Sequence, residues 1–419
     1  MNLEEINHAL FFIASKNLKE ISQITQEKKD FLSCDAYFLN SIYNHRLSPL
    51  LFDITLDDRG RAKFSDFFLK KIKKEANLLQ IKNLNIISEL FQISNLFNNK
   101  NINYCFLKGP SLSLEFYDDI KLRPLRDLDI LVKKDQIKEC LILLENMGYR
   151  TLKNKSKLSG LIESKDIIDF HQLPPIYGPN EVIVEIHSRA TSPENFKECP
   201  MTKNIFKRKK KFQNGKFRTY FPSKEDNLVH LSVHACLQHS LNNGLLTITD
   251  LMFLNKDVEM DWNYINDTYG ESKISKSIFV LLEILKKKNL IQVNQLRRRI
   301  SENDLFLKDI VSITTNQILL SKNQHDILKG AKLKILGSYS YSSLFSFLEQ
   351  SYSSHKKNFF RLKRLNNENS FNRLFFYIYL CDEFFKNIIK LLKNIFNKTL
   401  KVHGKEKIKL QDWLNLENE

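Results

Sequence analysis

The segment Leu107–Val132, LKGPSLSLEFYDDIKLRPLRDLDILV, constrains this chain more than any other. It leaves the apolar run Tyr104-Cys105-Phe106-Leu107, passes a Lys-Gly turn and a short stretch with helical character, and ends in Arg126-Asp127-Leu128-Asp129-Ile130-Leu131-Val132. Side chains two apart on a β-strand share a face, so Asp127 and Asp129 point one way and Leu128, Ile130 and Val132 the other. Two carboxylates roughly 6.5–7 Å apart along a strand can share a divalent cation. Solvated aspartates at a strand end give the same pattern, so the neighbouring residues decide between the readings. A strand-Gly-helix turn is where backbone N–H groups hold phosphate. Lys108 flanks that turn, and Arg123 precedes the acidic strand. Phosphate-binding and metal-binding parts in one window suit a nucleoside triphosphate with Mg²⁺.

Two carboxylates make a weak metal cage, and a third is found in Glu181-Val182-Ile183-Val184-Glu185-Ile186-His187. Val182, Val184 and Ile186 alternate with the rest, the pattern of a half-buried strand. Glu185 is central on the polar face and is expected beside Asp127 and Asp129, although a plain solvent face fits the alternation equally well. His187 reads as an outer supporting group, a general base or a surface histidine, with a structural role preferred.

These residues resemble a known family. Leu107-Lys108-Gly109, Arg123-Pro124-Leu125-Arg126-Asp127-Leu128-Asp129-Ile130-Leu131-Val132 and Val184-Glu185-Ile186-His187 are similar to the uncharacterised nucleotidyltransferases of the DNA polymerase β-type superfamily. The resemblance extends to Asn44–Leu51 upstream and to His230–His234, Asp250 and Asp261-Trp262 downstream, covering roughly residues 40 to 265. Where the superfamily has Gly-Gly or Gly-Ser after the first strand, this chain has Gly109-Pro110-Ser111. Pro110 has no N–H to offer phosphate, though it suits a first helical turn.

The resemblance implies an α+β fold: a small mixed-sheet nucleotidyltransferase core flanked by N-terminal and C-terminal helical regions. It implies a metal-dependent transferase that moves an NMP from an NTP (ATP among them) to an acceptor and releases pyrophosphate. Asp127, Asp129 and Glu185 are the expected catalytic metal ligands, for a two-metal Mg²⁺ site. Lys108, Gly109, Ser111 and Arg123 are the expected nucleotide-binding residues. The acceptor is a small molecule, glycan, protein or tRNA, since helical flanks carry no readable code for it. The same residues are compatible with a non-catalytic nucleotide- or RNA-binding module, or with a toxin-type enzyme modifying tRNA.

Composition narrows the setting. At 419 residues the chain has room for two or three domains, drawn here as 1–100 helical, 101–222 core and 223–419 helical. A net charge of +17 invites nucleic acid or a membrane surface, but the lysines are dispersed among asparagine and isoleucine. Six scattered cysteines (Cys34, Cys105, Cys140, Cys199, Cys236, Cys381) lack the Cys-x-x-Cys spacing of a zinc ribbon. With an acidic start and no apolar run of about 20 residues, the expected setting is the cytoplasm, without membrane insertion. Oligomeric state is not readable.

Coarser signals place the remaining elements. Helical spacing runs through Ile6, Leu10, Phe11 and Ile13, and again through Phe67, Leu69, Ile72, Leu78, Ile81, Ile86 and Leu90, with a turn at Asp57–Gly60 between them. Asp135–Met147 reads as a helix capped by Asp135 and stopped at Gly148. Phe206–Phe221 reads as a hairpin about Asn214-Gly215, with the basic run Lys207–Lys211 leading into it as a lysine-rich edge or an anion grip. Ser223 and Asp226 open a helix bearing His230, His234 and His239. His230 and His234 have ligand-like spacing but no evident partner acid. Asp250 is expected to begin a helix, as its cap or facing the cleft. Phe371–Leu400 reads as a long helical stretch.

Overall fold

The computed structural model describes residues 3–16, 36–56, 64–151, 157–158, 171–192, 200–239, 241, 243–256, 259–270, 272–288, 290, 304–320 and 398–415. The chain divides into two compact units, residues 1–301 and 302–419. The boundaries drawn at 100 and 222 both fall inside the first unit. The turn expected at Asp57–Gly60 and nearly all of Phe371–Leu400 lie outside the described residues.

The first unit opens with α1 (Leu3–Ala14), α2 (Ala36–His45), α3 (Ser48–Ile54) and the long α4 (Asp66–Asn99). Next come β1 (Tyr104–Leu107), α5 (Gly109–Glu115) and β2 (Asp127–Val132). Then come α6 (Ile137–Asn146), β3 (Arg150–Thr151), β4 (Ile176–Tyr177), β5 (Ile183–His187), α7 (Met201–Arg208) and a hairpin of β6 (Lys210–Asn214) and β7 (Phe217–Phe221). Helices α8 (Lys224–Val233), α9 (Leu246–Leu254), α10 (Trp262–Tyr269) and α11 (Lys273–Lys287) complete the unit. The second unit contains α12 (Asp304–Ile318) and α13 (Lys398–Asn415), which are joined by Asn316–Glu406 and Gln317–His403 hydrogen bonds.

Five strands form one sheet in the order β1-β2-β5-β4-β3. β2 and β5 run parallel and the other neighbours antiparallel, so the sheet is mixed. The parallel pair requires a crossover, and α6 lies within it. The fold is α+β, a mixed-sheet core with helices before and after it, as the resemblance implies.

The alternation in the strands decides the core. Leu128, Ile130 and Val132 of β2 and Val184 and Ile186 of β5 pack with Tyr104 and Phe106 of β1. Ile86, Leu90 and Phe97 of α4 and Leu141 and Leu144 of α6 belong to the same cluster. Each such side chain, once buried, contributes about 1.5–3 kcal/mol, which holds the strand register.

Helix α4 begins at Ser65, whose hydroxyl accepts from Phe68 N at 3.3 Å. Its sequence-read apolar positions belong to two faces. Ile72, Ile86 and Leu90 are buried, whereas Phe67, Leu78 and Ile81 are exposed on the other face. Buried Asn83 on α4 donates to Ile120 O at 2.7 Å and Arg123 O at 2.8 Å and accepts from Leu125 N at 2.8 Å. That one amide fastens the loop leading into β2.

Several local readings shift. Asp135 lies in a 3₁₀ turn (Lys134–Gln136) and caps nothing; α6 starts at Ile137, and Gly148 does end it, with φ +94°. The hairpin covers only Lys210–Phe221, since Phe206–Arg208 finish α7. Asn214 pairs with Phe217, so the turn is Gly215-Lys216, with φ +57° at the glycine. Glycine first is the type II′ arrangement, and strand pairing moves the turn one residue along. The Ser223 cap is present, its hydroxyl accepting from Asp226 N at 3.2 Å. Asp250 does not begin α9: the helix starts at Leu246 and Asp250 is interior and buried.

The basic run Lys207–Lys211 is divided. Arg208 stacks on Tyr264 at 3.6 Å and pairs with Glu225 at 2.8 Å. Lys209 donates to Asn103 Oδ1 and Tyr104 O, while Lys210 and Lys211 are exposed on β6. Among the described residues no helix is long and apolar enough to cross a membrane.

Candidate active site

Register brings the acidic residues together. Asp129 pairs with Leu107 on one side and with Glu185 on the other, so both acids sit in one row of the sheet. Asp127 pairs with Ile183, one step earlier on the same face. His187 follows Glu185 by two residues and shares its face.

Asp129 is the centre of the group. Its Oδ1 lies 2.6 Å from Lys108 Nζ and 2.8 Å from His187 Nε2. Glu185 Oε2 lies 3.9 Å from His187 Nε2 and accepts from Gln172 Nε2 at 2.6 Å. One ligand atom each from Asp129, Glu185 and His187 fall within 4.8 Å of one another. The trio that converges therefore includes His187, for which the sequence favours a structural role, in place of Asp127. Gln172 carried no sequence signal; it reaches Glu185 because residues 171–173 run along β5, where Leu173 N donates to Ile186 O.

Burial and charge set the protonation states. Burial alone would raise the Asp129 pKa, but the Lys108 charge and the His187 hydrogen bond outweigh it and hold the carboxyl well below the usual range. Burial and then Asp129 push Asp127 up to about 6 and Glu185 up to about 7. Burial lowers His187 against the pull of Asp129, keeping the ring neutral near pH 7. Carboxylates that raise one another's pKa are relieved by a cation, and their oxygens are hard donors suited to Mg²⁺ or Mn²⁺. The donor set fits a divalent ion.

The turn after β1 is unusual. Lys108 adopts φ +55° and ψ −122°, a conformation ordinarily left to glycine. Such strain costs on the order of 1–3 kcal/mol and persists where surroundings dictate it. It aims the lysine back at Asp129. Gly109 is needed for space, since an added Cβ would meet Arg123 Nη1 at 2.6 Å.

Two sequence-selected residues have other partners. Ser111 is fully buried and accepts from Asn227 Nδ2 of α8 at 3.0 Å, with Glu115 Oε2 and Asn227 Oδ1, each at 3.3 Å, as alternative acceptors for its one proton. Arg123 is 7% exposed and forms two bonds to Asp250, Nε–Oδ1 at 2.7 Å and Nη2–Oδ2 at 2.8 Å. Tyr117 OH donates to the same carboxylate at 2.6 Å. His230 is buried near the site, pushed down to about 3 by burial and then by Lys108. Its ring stands 6.1 Å from that of His234, and neither belongs to the converging acidic group.

Arg46 lies in the Asn44–Leu51 segment, and no pattern in the sequence marks it for a role. It follows α2 with φ +58°, and beside it His45 accepts from Leu245 N at 3.4 Å. Burial, then repulsion from Arg126 and Arg123, pushes the Arg46 pKa down to about 9, while Asp127 and Asp250 pull it up. Asp250 is bonded to Arg123, and Asp127 is the acid that pulls up both Arg46 and exposed Arg126. Arg46 and Arg126 thus set two positive charges beside the carboxylate row.

Residues 36–287 match the family described as uncharacterised nucleotidyltransferase, a span that holds the whole sheet, α2 to α11 and every residue of the site. The chain belongs to this family. Comparison with curated proteins finds no match. This nucleotidyltransferase family member thus carries a largely buried Asp-Glu-His group compatible with metal binding.

Proposed function

We propose that the protein is a metal-dependent nucleotidyltransferase that moves an NMP from an NTP to an acceptor hydroxyl and releases pyrophosphate. The observation that carries this reading is the row Asp129–Glu185 with Asp127 one step away on the same face, inside a nucleotidyltransferase family match. Asp127, Asp129 and Glu185 would hold two Mg²⁺-type ions. Bound there, the ions would screen the triphosphate and lower the pKa of the attacking hydroxyl.

The remaining work falls to the chain. Lys108, already aimed at Asp129, would turn its ammonium to phosphate oxygens once the carboxylate is otherwise neutralised. Arg46 and Arg126 would take the outer phosphates, a task of positioning and electrostatics. Gly109 would let the backbone approach the same group. Arg123 and Ser111 would support from behind, Arg123 through Asp250 and Ser111 through Asn227. Half-buried Gln172, donating to Glu185 Oε2, would fix the orientation of that carboxylate.

The test incubates the full chain with Mg²⁺, each labelled NTP and a cell extract, then identifies the labelled product. Transfer is expected from the wild type and is expected to be abolished in Asp129→Asn, with the circular dichroism spectrum unchanged. Undiminished transfer by a folded Asp129→Asn would overturn the mechanism. The label's destination would also report the acceptor class.

A further inference from the structure

The geometry points to His187 Nε2 as a direct ligand of the catalytic cation, beside Asp129 and Glu185, and so to a site that takes a first-row transition ion such as Mn²⁺ in preference to Mg²⁺. This rests on the metal-dependent reading above and extends it to the identity of the ion.

Ligand atoms held about 2.1 Å from one octahedral ion lie about 3 Å apart when adjacent and about 4.2 Å apart when opposite. His187 Nε2 is 2.8 Å from Asp129 Oδ1 and 3.9 Å from Glu185 Oε2, within reach of these two separations. One ligand atom from each of the three residues lies within 4.8 Å of the others, and Lys108 Nζ, 2.6 Å from Asp129 Oδ1, is the cation that an ion would displace. The ring is also held in place. Leu173 N donates to Ile186 O at 2.8 Å, Ser188 N donates to His171 O at 2.9 Å, and His187 itself is 5% exposed. Asp127, by contrast, shares its row of the sheet with Ile183, which offers no ligand.

Chemistry then selects the ion. Mg²⁺ prefers an all-oxygen shell and sheds water reluctantly, so an imidazole gains it little. Transition ions accept imidazole nitrogen, and Mn²⁺ also keeps the taste for carboxylate that Asp129 and Glu185 supply. No cysteine belongs to the group.

The experiment loads the full-length protein with Mn²⁺ alone and records pulsed electron paramagnetic resonance, which reads nitrogen bonded directly to the ion. The wild type is expected to show ¹⁴N modulation that converts to the ¹⁵N pattern on ¹⁵N-histidine labelling. His187→Gln is expected to lose it and to bind Mn²⁺ at least about tenfold more weakly, with a change of less than about threefold for Mg²⁺. His187→Glu, which keeps a ligand at the position, is expected to bind Mn²⁺ without any nitrogen signal. Bound Mn²⁺ with no coordinated nitrogen in the wild type would overturn the inference, reducing His187 to a hydrogen-bond support for Asp129 and leaving the metal-dependent reading intact. Saturable binding of neither Mn²⁺ nor Mg²⁺ would overturn both.

Discussion

Arg123 and Asp250, 127 residues apart, meet in a buried two-point ion pair that ties the loop before β2 to the interior of α9. Burial by itself would lower the Arg123 pKa, and Asp250 more than restores it. The helical region after the sheet is therefore part of the scaffold that presents Asp127 and Asp129.

Breaking that pair strands a buried guanidinium. Asp250→Asn should destabilise the first unit by about 3–5 kcal/mol. Replacing both partners with apolar side chains of similar volume, Arg123→Met with Asp250→Leu, should recover much of the loss. Denaturant melts of the single and double variants give the coupling; additive losses would show that the two residues do not act together.

Arg46 should matter for the nucleotide and little for the fold. One charge-assisted contact to phosphate is worth about 1.5–3 kcal/mol. Arg46→Ala should accordingly raise the KM for NTP by about 10–100-fold, with a smaller effect on kcat. An unchanged KM in the purified variant would remove Arg46 from the phosphate site.

Metal binding should strengthen with pH. Asp127 is raised to about 6 and Glu185 to about 7, so the folded protein holds protons there that the unfolded chain releases near pH 4. The stability contributed by these two groups is complete below their unfolded pKa values and is lost as pH rises through about 6 to 7. A divalent ion competes with those same protons. The rise in Tm on adding Mg²⁺ or Mn²⁺ should be small at pH 5.5 and large at pH 8. A rise independent of pH would show that these carboxyls do not bind the ion.

Glu115 provides a parallel case away from the carboxylate row. Burial raises it to about 7, against the Ser111 hydrogen bond and the Lys210 charge. Its stabilising contribution is present below about pH 4.5 and lost as pH rises through about 7. Glu115→Gln should therefore be more stable than the wild type at pH 8, by about 1–3 kcal/mol, and no more stable at pH 4.5. Thermal melts at the two pH values decide this.

The amino-acid sequence by itself determined the acidic strand and its two faces, because side-chain alternation is a local property of β backbone. Asp127 and Asp129 on one side, Leu128, Ile130 and Val132 on the other, the second acidic strand at Glu185 and the cap at Ser223 could all be read without coordinates. What no local pattern holds is which row of one strand meets which row of another. That register, with Asp129 beside Glu185, follows from packing against α4 and α6, and only then does His187 arrive 2.8 Å from Asp129. The partners of Arg123, Ser111 and Arg46 were hidden for the same reason. Each is chosen by charge and burial among residues far apart in the chain, so Asp250 took Arg123, Asn227 took Ser111, and Arg46 came within the electrostatic reach of Arg126 and Asp127.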